Sequence, residues 1–191
     1  KGVGKDLNTV KEATITMPDL RSFEVSGASK ATVSGFSYSH PVNFTASGAS
    51  SLGLDNMTVG NTDFDVSGAS RVTGNVKMNE SDLSISGASK IILAGSAVNI
   101  SIYSSGASRQ ELTGLTTGNA RVRLSGGSDA TVNLSGHLDV ELSGGSRLHY
   151  MGTPTIGRVN LSGGSTIQAN NTMPKYNGYL DLRMSGRCYK K

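Results

Sequence analysis

The chain has 191 residues and a net charge of +4; 36% of its residues are hydrophobic but only 5% aromatic, and there is no Trp. That is the length of one domain, with too few bulky side chains for a broad spherical core and no apolar run near the roughly 18 to 20 residues of a membrane helix. The charge is uneven, −1 over residues 1–100 and +5 over residues 101–191, yet no dense Lys/Arg block is present to track phosphates, so nucleic acid is not an expected partner.

Residues 1–14 give no periodic signal and read as a lead-in. From there the chain repeats. Phe23 and Val25 alternate with polar residues ahead of Ser26-Gly27-Ala28-Ser29, and Ala31 and Val33 alternate after it. Phe44 and Ala46 lead into Gly48; Phe64 and Val66 lead into Gly68, with Val72 beyond. Leu83 and Ile85 precede Gly87, and Ile91 and Leu93 follow it. Ile102 and Ser104 precede Gly106, and Val122 and Leu124 precede Gly126, with Ala130 and Val132 after. Val140 and Leu142 precede Gly144, with Leu148 and Tyr150 after, and Val159 and Leu161 precede Gly163. A ninth unit, Tyr179 to Ser185, ends in Ser185-Gly186, followed by the basic tail Arg187–Lys191. Alternation of this kind marks strands with one dry and one wet face. A second breaker, such as Gly35, Asn75, Gly95, Gly114, Gly136 or Gly152, falls about ten residues after most motifs.

The tetrapeptide is Ser-Gly-Ala-Ser at Ser26, Ser47, Ser67, Ser86 and Ser105, and Ser-Gly-Gly-Ser at Ser125, Ser143 and Ser162, spaced by 18 to 21 residues. Strand, glycine corner and strand at that period predict an all-β, right-handed parallel β-helix (a β-solenoid) of about nine coils of 18 to 23 residues. The repeat coils cover residues 15–169, with a terminal coil and tail in 170–191, all in one domain. An antiparallel barrel or sandwich is the alternative. Gly27, Gly48, Gly68, Gly87, Gly106, Gly126, Gly144 and Gly163 are the structural corners, where the backbone needs conformations that side chains disfavour. A serine in eight copies is scaffold rather than nucleophile, its hydroxyl bonding corner backbone or the neighbouring coil.

Stacking turns equivalent positions into rows. Four residues ahead of the motif the row reads Ser22, Asn43, Asp63, Asp82, Ser101, Arg121, Asp139, Arg158 and Asp181. Two ahead it reads Glu24, Thr45, Asp65, Ser84, Tyr103, Arg123, Glu141, Asn160 and Arg183. Like charges meet only at Asp63 and Asp82, as stacked strands require. Four residues after the motif's first Ser, Lys30, Ser51, Arg71, Lys90, Arg109, Asp129, Arg147 and Thr166 set three cations on consecutive coils. Either these solvate the rod, or Lys30, Arg71, Lys90, Arg109 and Arg147 form a basic stripe that binds an anionic glycan or cell-surface protein.

Catalytic and metal residues are not expected, nor a cofactor. Asp63, Asp65 and Asp82 are the only acidic concentration on the wet face, and His40, His137 and His149 lack ligand spacing. Cys188, the single cysteine, admits no internal disulfide. A carbohydrate-active β-helix enzyme, of lyase or hydrolase type, is the competing function.

These motifs, with Ile15-Thr16-Met17-Pro18-Asp19-Leu20 ahead of the first corner and Tyr150-Met151-Gly152-Thr153-Pro154 ahead of the last, resemble the putative auto-transporter adhesin, head GIN domain family of bacterial envelope proteins, over about residues 13–169. The resemblance implies an exported, extracytoplasmic β-helix with an adhesive role and no catalytic residue. It also implies a further β-rich half and an export signal or anchor outside this chain, through which any membrane association would run. An exposed terminal coil would then favour end-to-end stacking of copies.

Overall fold

The computed structural model describes residues 12–170. Among these are thirteen strands and no helix: β1 (Ser22–Val25), β2 (Lys30–Ser34), β3 (Val42–Ala46), β4 (Ser51–Thr58), β5 (Thr62–Val66), β6 (Arg71–Ile85), β7 (Lys90–Ser104), β8 (Arg109–Leu124), β9 (Asp129–Leu134), β10 (His137–Leu142), β11 (Arg147–Met151), β12 (Thr155–Leu161) and β13 (Thr166–Ala169). Every pairing is parallel and joins one coil to the next, as in β1 with β3, β3 with β5 and β6 with β7. The molecule is a parallel β-solenoid of about eight turns. The antiparallel alternative is excluded, and the ninth unit, the basic tail and Cys188 lie outside the described residues.

The alternation explains the core. Phe44, Phe64, Leu83, Ile102, Val122 and Val140 point inward from the strand ahead of each corner, and Leu52, Val72, Ile91, Ala130 and Leu148 from the strand after it. Phe44 and Phe64 stack with ring centroids 5.3 Å apart. The Phe, Leu, Ile and Val side chains among these each contribute about 1.5–3 kcal/mol on burial, and the buried residues form one continuous cluster along the rod.

All eight corner glycines have φ between 66° and 75°, the left-handed region where a side chain is disfavoured. Corners also stack on one another. Ala49 N–H donates to Gly27 O at 2.7 Å, Ala69 to Gly48 at 2.7 Å and Ala107 to Gly87 at 2.8 Å. In six of the eight motifs the last serine turns inward: Ser50, Ser70, Ser89, Ser108, Ser128 and Ser146 are buried, whereas Ser29 at the first corner is exposed and Ser165 at the last is half-buried; Ser128 and Ser146 donate to Ser125 O and Ser143 O at 2.8 Å.

The second set of expected breakers behaves differently. Gly35, Gly95 and Gly152 have positive φ, yet β6, β7 and β8 run through Asn75, Gly95 and Gly114 as strands of 15, 15 and 16 residues. These residues bend the strand without ending it, because ladder pairing continues on both sides, Asn75 with Ala94 and Ala94 with Gly114.

Differences in coil length collect in bulges. Register shifts fall between Leu54 and Met57 of β4, Ile92 and Ala94 of β7, and Leu112 and Thr116 of β8, all after a corner. Another falls between Leu138 and Val140 of β10, opposite Ile156 and Val159 of β12, which carries the extra residue. At the first, Asn56 takes φ 49°, as the extra residue of a bulge often requires. The corners and the residues immediately before them stay in step.

Candidate functional site

The outer rows form as the repeat requires. Lys30 pairs with Ser51, Ser51 with Arg71, Arg71 with Lys90, Lys90 with Arg109, Arg109 with Asp129, Asp129 with Arg147 and Arg147 with Thr166. The row is not a bare cationic edge. Lys90 Nζ donates to Glu111 Oε1 at 2.6 Å, and Arg109 lies 4.0 Å from the same oxygen and 3.7 Å from Asp129 Oδ2. Ion pairs among the described residues thus engage Lys90 and Arg109 and not Lys30, Arg71 or Arg147. Glu111, two residues along β8 from Arg109 on the same face, is the counter-charge that the row alone does not reveal.

The acidic residues singled out on the wet face lie on adjacent coils. Asp63 and Asp82 are registered neighbours, with Asp65 in the adjoining row, and among the described residues no group of three His, Cys, Asp or Glu side chains is placed to hold an ion.

Two histidines meet carboxylates. His40 Nε2–H donates to Asp19 Oδ1 at 2.6 Å, its ring stacks on Tyr38 at 4.6 Å between centroids, and the Tyr38 hydroxyl donates to Pro18 O. Desolvation opposes ionisation of Asp19, but the His40 hydrogen bond and charge, with Arg21, outweigh it and hold the carboxyl below its ordinary value. In the bulge of β12 the Arg158 backbone N–H donates to Asp139 Oδ1 at 2.8 Å and, against partial desolvation and with His137 and Arg121 nearby, holds Asp139 low as well. Both carboxylates clip one coil to the next, Asp19 exposed and Asp139 half-buried.

A different outer face carries a furrow of about 720 Å³. Its floor is the strand ahead of each corner, one side is the outward row Asp65, Ser84, Tyr103, Arg123, Glu141 and Asn160, and the other is the row of first motif serines that includes Ser105 and Ser125. Tyr103 is 39% exposed. The Arg123 guanidinium sits 5.4 Å from the Tyr103 ring centroid, and Arg123 Nε donates to Glu141 Oε2 at 3.1 Å. The alternating charges of this row make direct contacts along the rod, while its single aromatic is the sequence signal that a reading by charge passes over.

The chain matches the model of a family described as putative auto-transporter adhesin, head GIN domain, over residues 3–154. No curated protein matches it. Among solved structures it is similar to the crystal structure of a putative lipid binding protein from Parabacteroides distasonis ATCC 8503, at 14% identity and a TM-score of 0.65, over 79% of this chain and 62% of that one. Identity that low speaks to the shared fold alone, and this chain spans about 62% of that protein's length.

Proposed function

Because the chain belongs to the putative auto-transporter adhesin, head GIN domain family, we propose that it is a non-catalytic, extracytoplasmic solenoid whose outer rows hold a surface glycan or surface protein. The observation that carries this reading is the register of those rows. Identical pairing from Lys30 to Thr166 converts single residues into regular lines about 4.8 Å per step. Such lines suit an extended polymer, whereas hydrolysis of a glycosidic bond needs two converging carboxylates. The cations Lys30, Arg71, Lys90, Arg109 and Arg147 supply the attraction for an anionic partner, tuned down by Glu111 and Asp129. End-to-end association of copies belongs to the same reading and is measured by sedimentation across concentrations.

The test is retention on immobilised polygalacturonate and on whole bacterial envelopes across a salt gradient. Replacing Arg71, Lys90 and Arg109 with Ser removes salt-sensitive retention, and Glu111→Gln, which strips the counter-charge, shifts elution to higher salt. Equal elution of all three proteins would discard the basic stripe.

A further inference from the structure

The strand ahead of each corner presents two outward rows, one through Asp63, Asp82 and Arg121 and one through Asp65, Tyr103 and Arg123, in register from coil to coil. With the coil of Gly27 as the first and that of Gly163 as the eighth, charge on this face is divided along the rod. Asp63, Asp65 and Asp82, on the third and fourth coils, are exposed and form no ion pair among the described residues. Two of them, Asp63 and Asp82, are registered like charges, an arrangement that opposes folding. Arg121 and Arg123, on the sixth coil, are exposed as well. Arg121 Nη2 lies 4.0 Å from Asp139 and Arg123 Nε 3.1 Å from Glu141, so guanidinium donors remain on each beyond those contacts.

We propose that this face is the contact between two copies of the chain, packed face to face with their rods antiparallel. The twofold axis lies in the interface along the strand direction, between the fourth coil and the fifth. That rotation keeps each row opposite itself and reverses the order of the coils, so the first coil meets the partner's eighth. Asp65 then faces the partner's Arg123 and Asp63 the partner's Arg121, each contact occurring twice by symmetry. Glu141 and Asp139 meet only the neutral Thr45 and Asn43 of the second coil, and no like charges meet in either row. Other arrangements fail on charge. Parallel rods set Asp63 against the partner's Asp65 and Arg121 against the partner's Arg123. Sliding antiparallel rods by one coil sets Asp82 against the partner's Asp82 in one direction and Asp65 against the partner's Glu141 in the other. Full overlap of the eight coils and pairing of opposite charges therefore fall in the same register.

The same register accounts for Tyr103, which is 39% exposed and the one aromatic in the two rows. It falls beside the twofold axis, opposite the partner's Ser84, where a small side chain leaves room for a ring, and an aromatic at the centre is what interfaces favour. Eight coils of five strand residues present roughly 34 Å by 17 Å, about 1,100 Å² over both copies, the size of a reversible dimer rather than an obligate one. The twofold closes at two copies, whereas stacking of rod ends would continue. Because the row from Lys30 to Arg147 lies beyond the corner and stays uncovered, the dimer does not depend on what that row binds.

The experiment is sedimentation of the whole chain from micromolar to millimolar concentration, at low and high salt. The parent passes from monomer to dimer and no further, and salt weakens the association. Asp65→Arg alone and Arg123→Asp alone each put two like-charge contacts into the homodimer and raise its dissociation constant about tenfold or more. An equimolar mixture of these two variants dimerises like the parent, because in the mixed pair both contacts join opposite charges. Asp63→Arg and Arg121→Asp form a second such set with the same outcome, and all four side chains are exposed, so the variants keep the parent's fold by circular dichroism. A parent that stays monomeric at millimolar concentration, single variants that dimerise like the parent, or mixtures of folded variants no tighter than their components overturn the antiparallel dimer. Association that runs past two copies and is unmoved by any of the variants belongs to the rod ends and overturns it as well.

Discussion

Gln110 reaches back across a corner to Ser104: its Nε2 donates to Ser104 Oγ at 2.9 Å and to Ser108 Oγ at 3.2 Å, while its Oε1 is buried without a partner among the described residues. Both residues fall where neighbouring coils are apolar. Ile85 and Leu124 flank Ser104 along its row, and Ile91 and Ala130 flank Gln110. One polar residue at a core position would be a defect; two on one coil satisfy much of each other.

Removing half of this pair is therefore worse than removing all of it. Ser104→Val leaves the Gln110 amide with only its longer bond to Ser108 Oγ and lowers stability by about 1 kcal/mol, whereas Ser104→Val with Gln110→Leu raises it by about 1–2 kcal/mol over the parent. Urea unfolding of the singles and the double gives the coupling directly. A double variant less stable than Ser104→Val alone would mean that the amide has a role beyond pairing.

Corner glycines differ in what surrounds them. At Gly27 an added Cβ meets nothing within 4 Å among the described residues, and against these Gly27→Ala bears only the left-handed backbone penalty of about 1–2 kcal/mol. At Gly106 the same atom would lie 2.6 Å from Gly87 O, which accepts the Ala107 N–H at 2.8 Å. Gly106→Ala must shift one corner against another and costs about 3 kcal/mol or more. Thermal melts that place the two variants together would refute the corner-on-corner account.

Acid loosens the segment around Pro18 before it loosens the coils. Asp19 is held below its unfolded value of about 3.9, so its contribution is fully present above that pH and is lost as pH falls through the lower folded value. Hydrogen exchange at residues 19–21 is expected to quicken in that window, and Asp19→Asn to show the fast exchange already at pH 7. Unchanged protection in Asp19→Asn would assign the tie to the Tyr38 hydroxyl instead.

Much of this molecule was legible in the string of residues. The corner motif sets the coil, and alternation around it places Phe44, Leu83 and Val122 inside and Asp65, Tyr103 and Arg123 outside. The row pairings followed because a parallel solenoid has only one register that keeps corners aligned. What escaped was set by side-chain reach rather than by period. Glu111 neutralises Lys90 from a neighbouring row, and the Gln110 to Ser104 bond looks like two lapses in a pattern until the corner folds them together. Asn75, Gly95 and Gly114 carry breaker chemistry, but stacked neighbours on both sides supply ladder bonds that override local preference.

The bulges of β4, β8 and β12 let irregular spacing coexist with aligned corners. Extra residues are shunted into stretches where a strand can pucker, so errors of phase do not accumulate down the rod. A gene encoding such a protein can duplicate or drop a whole turn, or gain a residue beside Asn56, without retuning the turns on either side. Growth by copying is thereby open to it, and the length of the rod becomes a quantity that selection can adjust one step at a time.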